Sequence, residues 1–243
     1  MGYPVFNEVQ GQQVVDAILK GYKTYLDVRL KAKVEMKVSA GYAWTKPNYI
    51  DDAFSKADLP FITNYTVQHA GQSWEYIEFE SENEMLGNVL LIIKGEARLK
   101  QNFPEVATKK KGYLFELAEI NNEFIEKQVK LEETDSNTKL DNIQLELIQD
   151  EEMKALSQHT SNVDHFLILT HQVDNDYKMT KIQVVMPDAR QGKLLPLQDL
   201  SEYIASSAID FNDDKYQGLT DLSDIKDIEE FGIVPRVAIQ KQG

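Results

Sequence analysis

Apolar positions recur along this chain at two periods, and the switches between them predict its elements. From Asn7 to Lys33, Val14, Ile18, Leu19, Tyr22, Tyr25, Leu26 and Leu30 fall three and four apart, the spacing of one helix face. Asn7 followed by Gln10 forms a capping-box pattern at its start, while Gly11 and Gly21 each weaken its interior by roughly 1 kcal/mol. A second stripe (Tyr113, Leu114, Leu117, Ile120, Phe124, Ile125 and Leu131) predicts another long amphipathic helix beginning near Lys111.

Between these stripes the period changes. Phe61 to His69 and Trp74 to Glu80 are rich in β-formers and flank the loop Ala70-Gly71-Gln72-Ser73, a hairpin pattern. Asn88 to Lys94 (NVLLIIK) reads as a buried third strand of the same meander. Gly95 marks a bulge or bend there, beyond which Glu96 to Lys100 continue it. The clearest hairpin lies in Val163 to Pro187, where Phe166-Leu167-Ile168-Leu169 and the alternating Ile182, Val184 and Met186 flank Asp174-Asn175-Asp176. The block on one arm suits a central strand, and the alternation on the other suits one nearer an edge.

The remaining segments are shorter. Asp51 to Ala57 adds a turn or two of helix, and Pro196 starts a helix carrying Leu197, Leu200, Tyr203 and Ile204. Ile143 to Gln149 is a further strand; Leu222 to Phe231 is a short acidic helix, and Ile233 to Gln240 an edge strand limited by Pro235. Glu132 to Asn142 is polar and aperiodic, a surface loop near 132–142 within one domain spanning 1–243. The pattern therefore predicts an α+β fold, a largely antiparallel mixed sheet with two long amphipathic helices on one face. Leu91, Ile93, Leu167, Leu169 and Val184 are the expected core.

Composition narrows the chemistry. The 243 residues carry a net charge of −14, which disfavours nucleic acid and anionic membranes as partners unless a local basic patch exists. There is no cysteine, which removes disulfides, thiolate metal sites and a cysteine nucleophile. The longest aliphatic run, Val89 to Ile93, is far short of a bilayer span, and the first ten residues lack a secretory pattern. A cytoplasmic protein is expected, and the abundance of Gln, Asn, Lys and Ile suits a prokaryotic or phage source. His69, His159, His165 and His171 show no metal-binding spacing, and no glycine-rich phosphate loop or nucleophile elbow occurs. No metal or other cofactor is expected.

Three clusters remain as binding candidates. Tyr42, Trp44 and Tyr49 stand close together in a turn-rich stretch, as a platform for a partner or a lid on the core. Lys109, Lys110 and Lys111, and separately Arg190 and Lys193, stand before predicted helices where free amides would add to the side-chain charge. Placed on one edge of the sheet, the two basic loops would form a single positive site on a negative molecule.

The order helix, meander, helix, further strands resembles nucleases of the restriction-enzyme kind, which place an acid and then an acid-x-Lys on successive strands. Lys94 ends a strand, but Ile92 stands where the acid would be. Glu96-Ala97-Arg98 has the spacing with Arg in place of Lys, and Glu78 or Glu80 would be the earlier acid. The resemblance implies metal-dependent phosphodiester cleavage, with Glu78, Glu96 and Arg98 as the catalytic candidates. The first expectation is nonetheless a non-enzymatic binding or regulatory protein of a prokaryotic or phage-related accessory system, working through a protein partner. The divergent nuclease is the alternative.

Overall fold

The computed structural model describes residues 4–70, 74–103, 112–134 and 163–209, together with Phe211, Tyr216 and Leu219. Its centre is a six-stranded sheet with strands in chain order: β1 (Ile62–Ala70), β2 (Trp74–Asn83), β3 (Gly87–Gly95), β4 (His165–Val173), β5 (Met179–Asp188) and β6 (Lys193–Asp199). Every neighbouring pair is antiparallel except β3 and β4, which run parallel from Val89 opposite His165 to Gly95 opposite His171. The fold is α+β with a largely antiparallel mixed sheet.

The first helix, α1 (Glu8–Glu35), starts at the capping box read from the sequence. Asn7 Oδ1 accepts from the Gln10 amide at 2.9 Å, and Gln10 Oε1 accepts from the Asn7 amide at 3.0 Å. Its glycines are sites of close approach. A Cβ on Gly21 would lie 2.6 Å from the backbone of Ile50 and Tyr49, in the helix α2 (Lys46–Ser55) that follows a 3₁₀ helix over Ala40–Thr45. The propensity lost at Gly21 is the cost of letting two helix backbones nearly touch.

Alternation along the strands divides the core into two layers. Leu91, Ile93, Leu167, Leu169 and Val184 are at most 3% exposed and pack with α1 and α2, through Ile18, Tyr22, Ile50 and Phe54. Leu90, Ile92, Phe166 and Ile168 face the other way. They pack with Leu99 of α3 (Glu96–Asn102) and with Leu114, Phe115 and Ala118 of α4 (Tyr113–Ala118). The helices thus cover both faces of the sheet rather than one, because joining parallel strands requires a crossover.

Other expectations change too. The helix expected from Lys111 is divided into α4, a 3₁₀ turn at Glu119–Asn121 and α5 (Asn122–Thr134). Asn121 explains the break. Its Oδ1 accepts from the Phe166 amide at 2.9 Å, while its Nδ2 donates to the carbonyls of Phe166 at 2.9 Å and Pro187 at 3.0 Å. The β4–β5 ladder stops at Ile168 opposite Val185, and the amide side chain takes the place of its next rung.

Glu96 to Lys100 form helix rather than strand. Gly95 caps α3, Glu96 sits in the first turn, and Glu96 pairs with Lys100 one turn later at 2.8 Å. Pro196, expected to start a helix, instead lies in the edge strand β6, where a missing amide is tolerated. The following helix, α6 (Glu202–Ala205), is a single turn. The segments 143–149, 222–231 and 233–240 and nearly all of the 132–142 loop lie outside the described residues.

Replacing Asn121 with Ala should strand the buried Phe166 amide and two carbonyls, costing about 2–4 kcal/mol. The denaturation midpoint is expected to fall with an unchanged slope; a midpoint within error of the parent would contradict the role given to this side chain.

Candidate functional site

The β2–β3 ladder ends at Phe79 opposite Leu91, although β2 runs back to Trp74 and β3 on to Gly95. The two strands fork beyond that rung. A fork frees backbone groups that a continuous ladder would pair, and Asp51 of α2 takes one of them, accepting from the Ile77 amide. Its other oxygen, Oδ1, is buried without a hydrogen-bond partner among the described residues. On the opposite prong stands Lys94, the one charge on a strand that is otherwise apolar from Val89 onward.

Aromatic rings surround these charges. The Lys94 ammonium lies 4.8 Å from the centre of the Tyr76 ring and 5.6 Å from that of Tyr113. One helical turn later, Arg98 lies 5.2 Å from the Trp44 ring and 5.6 Å from the Trp74 ring. Each cation thus has two ring faces for company, a substitute for part of its lost hydration. Glu78 completes the cluster: its Oε1 accepts from the Tyr76 hydroxyl at 2.9 Å and its Oε2 from Gln68 of β1 at 3.1 Å. Glu78, Lys94, Arg98, Trp44, Trp74 and Tyr113 are all half-buried, so the cluster opens to solvent at the C-terminal end of β3.

This environment displaces several ionisations. Burial pushes the Asp51 carboxyl up to about 7, against the opposing pull of Lys94 and the Ile77 amide. Burial also holds the Lys94 ammonium below its ordinary range; Asp51 opposes that shift and Arg98 adds to it. Tyr113 is raised to about 12, by burial first and then by Asp51. Tyr76 is raised by burial and by its hydrogen bond to Glu78. An acid shifted upward beside a base shifted downward has the gap between their proton affinities narrowed, and such pairs concentrate at functional sites.

A divalent cation here would draw on Asp51, through its unpartnered Oδ1, and on Glu78, whose oxygens are already engaged. Among the described residues no group of three or more His, Asp or Glu side chains converges. Ile92, 1% exposed, occupies the position two before Lys94 where a third donor would stand. The donor set is thus two carboxylates, one of them about half protonated at pH 7.

The sequence candidates distribute unevenly around the fork. Glu78 and Arg98 belong to it. Glu96 pairs with Lys100 on α3, so Glu96-Ala97-Arg98 is not an acid-x-cation strand motif. Trp44 holds Arg98, whereas Tyr49 turns toward the core, its ring 6.4 Å from that of Tyr25. Tyr42 is half-buried in the 3₁₀ helix. Arg190 and Lys193 flank the β5–β6 turn, at the opposite end of the sheet from the fork, and Arg190 bonds Glu126 at 2.9 Å. Lys109, Lys110 and Lys111 lie outside the described residues.

His165 and His171 are buried at opposite ends of the β3–β4 ladder, too far apart to share an ion. Asp51, Trp74, Tyr76 and Tyr113 were missed from sequence. One signal for Asp51 exists: it lies between the buried Ile50 and Phe54 on the inward face of a short helix, an unusual place for an acid.

Comparison with known proteins finds no matching family model, no matching curated protein and no matching solved structure. Among the described residues no helix is long and apolar enough to cross a membrane.

The raised Asp51 acidity gives a pH signature. Between the unfolded value near 3.8 and the folded value near 7, the folded chain holds a proton that the unfolded chain has lost. This contribution to stability is full below the lower value and is lost as pH rises through the upper one. Asp51→Asn mimics the neutral carboxyl, so its melting temperature should gain on that of the parent between pH 5 and pH 8. A constant difference across that range would show that Asp51 ionises normally.

Proposed function

We propose that the chain is a divergent metal-dependent nuclease-type domain acting on phosphodiesters at the β2–β3 fork. One observation carries this reading. An antiparallel β1-β2-β3 meander is followed by a helical crossover to a parallel β4, and Lys94, at the end of the third strand, is close enough to Asp51 for each to perturb the other's ionisation, while Asp51 Oδ1 has no hydrogen-bond partner among the described residues. The order and the lysine resemble the restriction-enzyme arrangement, whose strand-borne lysine acts beside metal-holding acids.

A bound divalent cation would supply Lewis-acid activation of the phosphate. The chain's own groups have separable tasks. The Lys94 ammonium stabilises negative charge developing on a phosphoryl oxygen. Asp51 and Glu78 would be the residues to hold such a cation, Glu78 only by giving up its hydrogen bonds to Tyr76 or Gln68. Arg98, fixed between Trp44 and Trp74, offers a phosphate contact at the rim. The acidic body confines an anionic substrate to the neighbourhood of these two cations.

The test is cleavage of labelled single- and double-stranded DNA and RNA with Mg²⁺ or Mn²⁺, together with calorimetric titration of the cation. Cleavage is expected to fall by about 100-fold or more in Lys94→Ala, and cation binding to weaken in Asp51→Asn. A folded parent that neither binds the cation nor cleaves any of these substrates overturns the proposal.

Ile92 in the acid position favours a second reading, a non-enzymatic binding protein that works through a protein partner and retains the fork as a structural feature. In that case Trp44→Ala should weaken capture of the partner with little change in melting temperature. Tyr49→Ala is expected to lower the melting temperature itself, because its ring packs on Tyr25.

A further inference from the structure

We infer that β1 is a self-pairing edge, along which a second copy of this chain adds to the sheet. β1 ends the strand order, so no strand pairs with its outer side among the described residues. Residues 63–67 are all exposed, including Tyr65 at 50% and Val67 at 51%. Folded proteins ordinarily guard such an edge with lysine, proline, a central bulge or brevity. β1 has nine residues (ITNYTVQHA), no proline and no Asp, Glu, Lys or Arg, and its one irregularity lies at the start, between Ile62 and Asn64. The opposite edge, β6, is shorter, carries Pro196 and begins with Lys193. Among the described residues, only the β6 edge of the sheet is guarded.

The sequence of β1 also names the occupant. Antiparallel pairing of two copies about Thr66 sets Asn64 opposite Gln68, Tyr65 opposite Val67, and Thr66 opposite its own equivalent. These are an amide pair, an aromatic–β-branched pair and a threonine pair, all favourable cross-strand combinations. The backbone phase agrees. Ile77 gives its amide to Asp51, so its β1 partner Val67 has its hydrogen-bonding groups turned outward, as does Tyr65 by alternation. In a chain of net charge −14, a neutral strand is where two copies meet with least repulsion.

A two-fold axis normal to the sheet at Thr66 would join the two sheets and keep their faces aligned. Both forks would then open on the same face, their β3 strands separated by five strand spacings, about 24 Å. The pairing rests on the edge alone and does not depend on the chemistry proposed for the fork.

Sedimentation velocity of the whole chain, over about a hundredfold concentration range, tests this. A species of twice 27.8 kDa is expected at the upper concentrations. The double variant Tyr65→Lys, Val67→Lys sets lysines opposite one another and should return the chain to monomer while leaving it folded, with a lowered melting temperature because the Tyr65 ring lies 6.3 Å from that of Phe79. Val67→Pro, which deletes an outward amide, should do the same should the double variant misfold. A monomer at every concentration, or a dimer that survives in the folded variants, overturns the inference.

Discussion

The parallel pairing of β3 with β4 is the constraint on which the rest of this molecule depends. Antiparallel neighbours can be joined by a tight turn, but parallel neighbours need a chain segment that returns over one face of the sheet. That segment brings α3, α4 and α5, and it converts a sheet with one covered face into one covered on both. Only then can Leu90, Ile92, Phe166 and Ile168 be as apolar as Leu91, Ile93, Leu167 and Leu169. The unbroken aliphatic blocks of β3 and β4 result from burial on both sides.

The same constraint shapes the fork. β3 spends the pairing capacity of one side on β4 as far as Gly95, while on its other side the ladder to β2 ends at Leu91. Past that rung the two prongs diverge, and Asp51, Lys94, Tyr76 and Tyr113 gather about the gap. Neither charge would be tolerable alone in such a place. Burial works against both ionised forms, and the attraction between them recovers only part of the loss, which is why Asp51 stays raised and Lys94 lowered. Ring faces around the ammonium and the Ile77 amide at the carboxylate offset more of it. Asp51 still keeps one oxygen without a hydrogen-bond partner among the described residues, so the polar network is incomplete as it stands.

Much of the fold was legible because local chemistry and burial agreed. The Asn7–Gln10 capping box, the β1–β2–β3 meander and the β4–β5 hairpin are each made from one continuous stretch of chain, and all the named core residues are buried. The parallel pair was not legible. Its partners are 76 positions apart in the register, and an apolar block carries no information about the direction of its neighbour. Glu96 to Lys100 failed for a different reason. Five residues after a strand are too few to show a helical period, and Gly95 suits a bulge as well as a cap. The site was legible only through Glu78 and Arg98, while Asp51 comes to the fork from a helix more than forty residues before Lys94 in the chain. Charges brought together by tertiary structure leave no spacing to read.

The two edges of the sheet show how little of this architecture follows from hydrophobicity alone. β1 and β6 are both half-covered strands with one paired side, yet one is neutral and long while the other carries a proline and a lysine. Stability of the monomer would favour guarding both, since an open edge adds nothing to the core and invites association. β1 cannot be discarded or shortened without cost, however, because Gln68 on it holds Glu78, and Glu78 in turn holds the hydroxyl of the Tyr76 ring that faces Lys94. The exposed strand is therefore tied to the fork through Gln68, and it must reach at least that far. Its lack of charge is not set by that reach. Thr63, Thr66 and Val67 face solvent, where lysine or glutamate would fit sterically, so the neutrality of the outer edge calls for a separate cause, which strand-to-strand contact supplies.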